Sequence, residues 1–176
     1  MDPAIDLAIR ACLALLFAAA AVHKLRDLAR FGATMAEYRL LPPALARPAS
    51  LAVVAAELAV ATALVLSPAR AAGYTGAATL AALYAVAIGV NLLRGRRDLD
   101  CGCLGAGGRE TISWWLVGRN LVLVAVALAG VTPPAVRSLG WIDAVTGLGV
   151  IAFAVLAWIA VDGLVSNLPA VERARA

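Results

Sequence analysis

"AGYTGAATLAALYAVAIGVNLL", Ala72 to Leu93, runs for 22 residues without a charge. As an α-helix at 1.5 Å per residue it is about 33 Å long, enough to cross the ~30 Å hydrocarbon core of a bilayer. Lipid admits only helices and closed barrels, and this run lacks the polar alternation of a barrel strand. It reads as a membrane-spanning helix. Its alanines and glycines let neighbouring helix backbones approach closely.

Working outward, four comparable runs appear: Ile5 to Val22, Ala49 to Leu66, Trp114 to Val131 and Ala144 to Val165. Of the 176 residues, 63% are hydrophobic and 15% charged, so the chain is more apolar than one soluble core requires. The expected fold class is an all-α integral membrane protein. A four-helix transmembrane bundle over residues 1–131 is followed by an extra C-terminal transmembrane helix and short tail over 132–176. Trp114, Trp115 and Trp141 stand at span ends, where indole prefers the interface. The first run does not read as a signal peptide, because its flank "MDPAID" is acidic. The net charge of +4 comes from arginines in connecting loops, which points to membrane topology and away from nucleic-acid binding.

Two connections are long. In the first, His23 to Pro48, Leu28, Phe31, Met35, Tyr38 and Leu41 recur at helical spacing. That pattern predicts an amphipathic interfacial helix ended by "LPP" at Leu41 to Pro43; the simpler alternative is a connector with a few buried anchors. The second, Arg94 to Ile112, carries "LDCGCLGAGG" from Leu99 to Gly108. Spans two and three form a hairpin between these connections, so both lie on one membrane face. With the C-terminal tail that face carries eleven of the basic residues against three opposite, and the positive-inside rule assigns it to the cytoplasm.

Cys101 and Cys103 allow three readings. A structural zinc site wants four ligands, and here only His23 and Asp100 are at hand to join them. Two reduced cysteines serving as small loop residues is the plainest reading. The third is a redox-active dithiol: thiols are rare in this chain, and flanking glycines are expected to leave these accessible. A disulfide across one residue is tight and easily reduced, with Gly102 relieving part of the strain. Ser113 or Thr111 is expected to cap the fourth span, whose N-terminal dipole would favour a thiolate folded over it. Cys12, deep in span one, reads as an inert core residue.

The spans also hold polar groups that lipid does not tolerate alone: Glu57, Arg119, Asn120, Asn91 and His23. Counted from the face with the long connections, Glu57 is roughly 12 Å deep and Arg119 roughly 9 Å, so the two are expected to pair. The pair has either a functional or a purely structural role. With the asparagines and His23 it outlines a candidate polar intramembrane pocket, able to hold a quinone or to receive electrons from the dithiol. No metal is assigned.

The stretch "DCGCLGAGGRETISWWLVGRNLVLVAVAL", Asp100 to Leu128, together with "FAAAAVHKL" and "AAELAVA" around Glu57, resembles the MauE family of methylamine-utilisation membrane proteins, within the wider DoxX-like group. The family motif usually has Phe where this chain has Leu104. The resemblance implies an accessory role in processing, transport or maturation of the small, disulfide-rich subunit of methylamine dehydrogenase. It implies a multi-pass protein of the bacterial cytoplasmic (inner) membrane, acting beside a thioredoxin-like redox protein on an exported client protein. Such a role would put the cysteines on the extracytoplasmic face, whereas the basic residues put them in the cytoplasm. The leading functional expectation is a membrane thiol–disulfide redox accessory protein. The alternatives are a non-catalytic assembly or export factor and a small-molecule transporter using Glu57.

Overall fold

The structure, a computed structural model, describes residues 1–101 and 111–175. Its elements are α1 (Pro3–Arg26), α2 (Leu28–Glu37), α3 (Pro43–Val65), a 3-10 turn (Ser67–Ala69), α4 (Arg70–Leu93), α5 (Trp114–Val131) and α6 (Trp141–Arg175). Five segments are long and apolar enough to cross a membrane: α1, α3, α4 with its leading turn, α5 and the Trp141–Trp158 part of α6. The protein is an all-α integral membrane protein, and the expected five spans correspond to these helices. Three boundaries differ from expectation by four residues or more, one of them the end of α6, at Arg175 rather than Val165. α1 runs to Arg26 rather than Val22, and α3 starts at Pro43 rather than Ala49. Pro43 fits the first turn, where its missing N–H has no helical acceptor to lose.

The chain divides into two compact units, Leu13–Pro133 and Met1–Cys12 with Pro134–Ala176. In the second, the Ala135 N–H donates to the Met1 carbonyl at 2.8 Å. Arg137 donates to Asp2 from Nε and Nη2, each at 2.9 Å, and to Asp143 at 2.9 and 2.6 Å. Arg137, helped by the Ala4 N–H, holds the Asp2 carboxyl below its ordinary value. Arg137 is itself pushed above its ordinary range, by Asp143 first and Asp2 second.

The larger unit is organised around α4, which packs on α3 and on α5. Both contacts depend on missing side chains. A Cβ at Gly73 would lie 2.7 Å from the Leu64 backbone nitrogen, and one at Gly76 would lie 2.6 Å from a Val60 methyl. At Gly130 of α5 a Cβ would overlap the Tyr74 ring, which is fully buried. Arg70 then caps the end of α5, donating to the carbonyls of Gly130 at 2.7 Å and Thr132 at 2.6 Å. A cation at a helix C-terminus also complements the dipole. Gly130→Ala should therefore be one of the costlier glycine changes. Its methyl has no room unless Tyr74 moves, and overpacking of this kind costs about 1–3 kcal/mol. Thermal unfolding in detergent reads it, with Gly118→Ala, which meets no neighbouring atom within 4 Å, as the neutral control.

α2 occupies the segment where an amphipathic helix was expected. Asp27 breaks the chain from α1 and caps α2 by accepting from the Arg30 N–H at 2.9 Å. Phe31 is buried with Ala21 of α1 and Val54 of α3, and Leu28 and Met35 pack against this group. The helix closes at Tyr38, and Arg39 takes a left-handed backbone with φ +50. A non-glycine residue adopts that conformation only where the chain must reverse sharply.

Candidate functional site

Lys24, Glu57 and Tyr84 come from α1, α3 and α4 and meet inside the larger unit. The Lys24 Nζ donates to Glu57 Oε1 at 2.5 Å, with side chains 2% and 0% exposed. The Tyr84 hydroxyl donates to the same oxygen at 2.6 Å. The Phe31 and Tyr84 rings lie 5.2 and 5.3 Å from Nζ, within cation–π range. The second carboxylate oxygen, Oε2, is buried and accepts no hydrogen bond. An ion pair of this kind returns its desolvation cost only when geometry and extra hydrogen bonds are good, and Tyr84 supplies one of them.

Glu57 thus pairs with Lys24, not with Arg119 as the sequence had suggested. The depth estimate assumed that the helices start level with one another, and α3 begins well before its expected start. Lys24, counted among the solvated loop residues, lies inside α1 and is buried. The other expected members of a pocket are engaged elsewhere. The Asn91 amide donates to the Ala87 carbonyl at 3.1 Å and accepts from Arg96 Nη1 at 2.9 Å. The Asn120 amide donates to the Leu116 carbonyl at 2.8 Å. Both are buried and donate back to their own helices. His23 is half-buried in the last turn of α1, and Arg119 is half-buried on α5. The charges and aromatic rings that do converge are those of Lys24, Glu57, Tyr84 and Phe31. A lone lysine ending one apolar run and a lone glutamate inside another were the available signal for that pairing.

The cysteine connection is anchored at both ends. Gly95, with φ +76, ends α4, and the Arg96 N–H returns to the Asn91 carbonyl at 3.0 Å. Asp100 and Thr111 form an antiparallel bridge, and the Ile112 N–H donates to the Leu99 carbonyl at 3.0 Å. Cys101 is only 7% exposed, in one apolar cluster with Tyr38, Ile88, Leu92, Leu99, Ile112 and Leu116. The accessibility expected of it is absent here: Cys101 directly follows the bridged Asp100 and is buried. Cys103 lies outside the described residues, and so does its pairing with Cys101. Ser113 occupies the N-cap position of α5 without a side-chain bond to it, and Thr111 is taken into the bridge. Cys12 is half-buried in α1.

The two long connections also touch. Arg30 of α2 donates to Asp100 at 3.0 Å, and Arg94 reaches the Arg39 carbonyl at 3.5 Å. The placement of both on one face, read from the hairpin between them, agrees with these contacts.

The chain matches the family described as "Methylamine utilisation protein MauE" over residues 2–133. It is 39% identical to the methylamine utilization protein MauE of Paracoccus denitrificans over 99% of this chain and 94% of that protein. It is 40% identical to the protein of the same name from Methylorubrum extorquens, over 76% of this chain and 73% of that one. The relative of that name in Methylophilus methylotrophus is 38% identical over 74% and 67%. No solved structure matches it significantly. With a family match across all of α1 to α5, and one relative aligned nearly end to end, the chain belongs to the MauE family.

Proposed function

We propose that this protein is an accessory factor of methylamine utilisation in the bacterial cytoplasmic membrane. In this reading Cys101 and Cys103 exchange a disulfide with a thioredoxin-like protein, in support of maturation of an exported client protein. The observation that carries it is the position of Cys101: a scarce thiol held at the base of a bridged loop, next to the ends of two membrane spans. The chemistry balances within the pair. The Cys101–Cys103 disulfide takes two electrons and two protons from a partner dithiol, leaving a dithiol here and a disulfide there. The arginine count favours the cytoplasmic face for both long loops. On that side the pair passes electrons across the membrane rather than acting on the client directly. A quinone is a carrier chemically suited to that transfer, oxidising the dithiol and leaving as the quinol.

A second reading is favoured by the burial of Cys101: an assembly or export factor whose cysteines are packing residues. Complementation separates the two. Cells lacking the protein receive the wild type, Cys101→Ser or Cys103→Ser, and the disulfide content of the exported client is measured by thiol-dependent gel shift. Wild type is expected to restore the client's disulfides and each variant to fail. Equal restoration by both variants would leave the assembly factor.

A further inference from the structure

Among the described residues, Cys101 is buried by three kinds of element. Ile88, Leu92 and Leu116 belong to α4 and α5, which are membrane spans. Leu99 and Ile112 belong to the loop's own bridged base. Tyr38 comes from neither: it closes α2, the 10-residue helix of the other long connection. α4 and α5 pack closely on each other, down to the Tyr74 ring against Gly130, and the base of the loop is held by the Ile112 N–H on the Leu99 carbonyl. α2, ten residues packed on α3 and around Phe31, is the least extensively held of the three.

Its fastenings suit that role. At the start, one residue, Asp27, separates it from α1 with φ −144 and ψ 71. At the end, the left-handed Arg39 reverses the chain before the Pro42–Pro43 stop. Between these breaks, Arg30 reaches across to Asp100, the residue before Cys101. That ion pair is shallow, since the Arg30 side chain is 60% exposed, and exposed pairs are weak and salt-sensitive. The hold of Tyr38 is apolar. Phe31, on the same helix, rests over Lys24 of the buried ion pair, so α2 spans both features of the site.

The geometry points to α2 as a lid over Cys101, latched by Arg30 on Asp100 and by Tyr38 in the apolar cluster, which opens to let the thiol react. This rests on the proposed thiol exchange for its purpose, yet its test does not. A thioredoxin-like partner cannot attack a sulfur packed among leucines, so exchange requires the lid to move. Opening leaves the membrane spans in place and costs the Tyr38 contacts, the exposed Arg30–Asp100 pair and the packing of Phe31 against Ala21 and Val54.

The test is the alkylation rate of Cys101 by a small maleimide in the full-length protein, in a Cys12→Ala, Cys103→Ser background. Tyr38→Ala should raise the rate at least about tenfold, because truncating a buried ring removes most of the cover. Tyr38→Phe should stay close to the parent. Arg30→Ala should raise it about two- to fivefold, the size expected of an exposed pair. Salt offers a second measurement that needs no disruptive change: raising ionic strength should speed labelling of the parent and not of Arg30→Ala. Cys101 labelling that ignores Tyr38, Arg30 and salt alike would overturn the lid. Failure of the complementation experiment with lid-dependent labelling intact would instead remove only the redox reading.

Discussion

Lys24→Met and Glu57→Leu should each destabilise the protein severely, by about 3–5 kcal/mol in detergent, and the double change Lys24→Met with Glu57→Leu should recover most of that loss. The cause is asymmetry. With both partners present, each charge is neutralised and Tyr84 satisfies one carboxylate oxygen. With one partner gone, an ion is left in a site that is 2% exposed at best. With both gone, the three helices meet through apolar atoms, and only the Tyr84 hydroxyl loses its acceptor. Tyr84→Phe should cost less, about 1–2 kcal/mol, since it removes one donor from an acceptor that keeps Lys24. Denaturant unfolding across the Lys24/Glu57 cycle gives the coupling energy, and a parallel Glu57/Arg119 cycle should give none. Additive losses at Lys24 and Glu57 would contradict the pairing, and strong coupling to Arg119 would restore the arrangement first expected.

The second large effect is all-or-none. Two sulfurs are needed to pass two electrons: one forms the mixed disulfide with the partner, and the other displaces it. Cys101→Ser and Cys103→Ser should therefore each abolish turnover with a reduced thioredoxin-like protein, where a merely supportive residue would slow it. Cys101→Ser carries an added stability cost, because a hydroxyl replaces a weakly polar thiol within an apolar cluster. Cys101→Ala separates the two effects. It should keep more stability than the serine variant and be equally dead in exchange. Measured rates with the dithiol partner, beside unfolding midpoints, check both. Residual turnover in either single variant would show that the pair is not the reacting unit.

The legibility of this chain follows from how each feature is encoded. Uniform apolar runs announce spans, so the five helices and the amphipathic α2 were readable. Boundaries were not, because hydropathy ends a run where polar and charged residues or prolines gather. Lys24 ended the first run on paper, while in the protein it is satisfied by Glu57 and lies within α1. Arg47 and Pro48 hid the first turns of α3 in the same way. The first placed Lys24 outside the span and the second moved the depth of Glu57, which together pointed to the wrong partner. Asn91 and Asn120 looked like pocket residues because residue type was visible, whereas the backbone acceptor each one uses was not. The burial of Cys101 was illegible for a different reason: it depends on Tyr38, from a distant part of the chain.

The most direct measurement of the central claim is the oxidation state of the two sulfurs in living cells. Cells are quenched in acid, free thiols are alkylated, and the peptide spanning Cys101 and Cys103 is weighed. The account predicts a population joined by a disulfide that shifts to doubly alkylated peptide after brief reductant treatment and returns when the reductant is removed, with Cys12 alkylated only after unfolding. A peptide that is doubly alkylated under every condition, including mild oxidation, would contradict it.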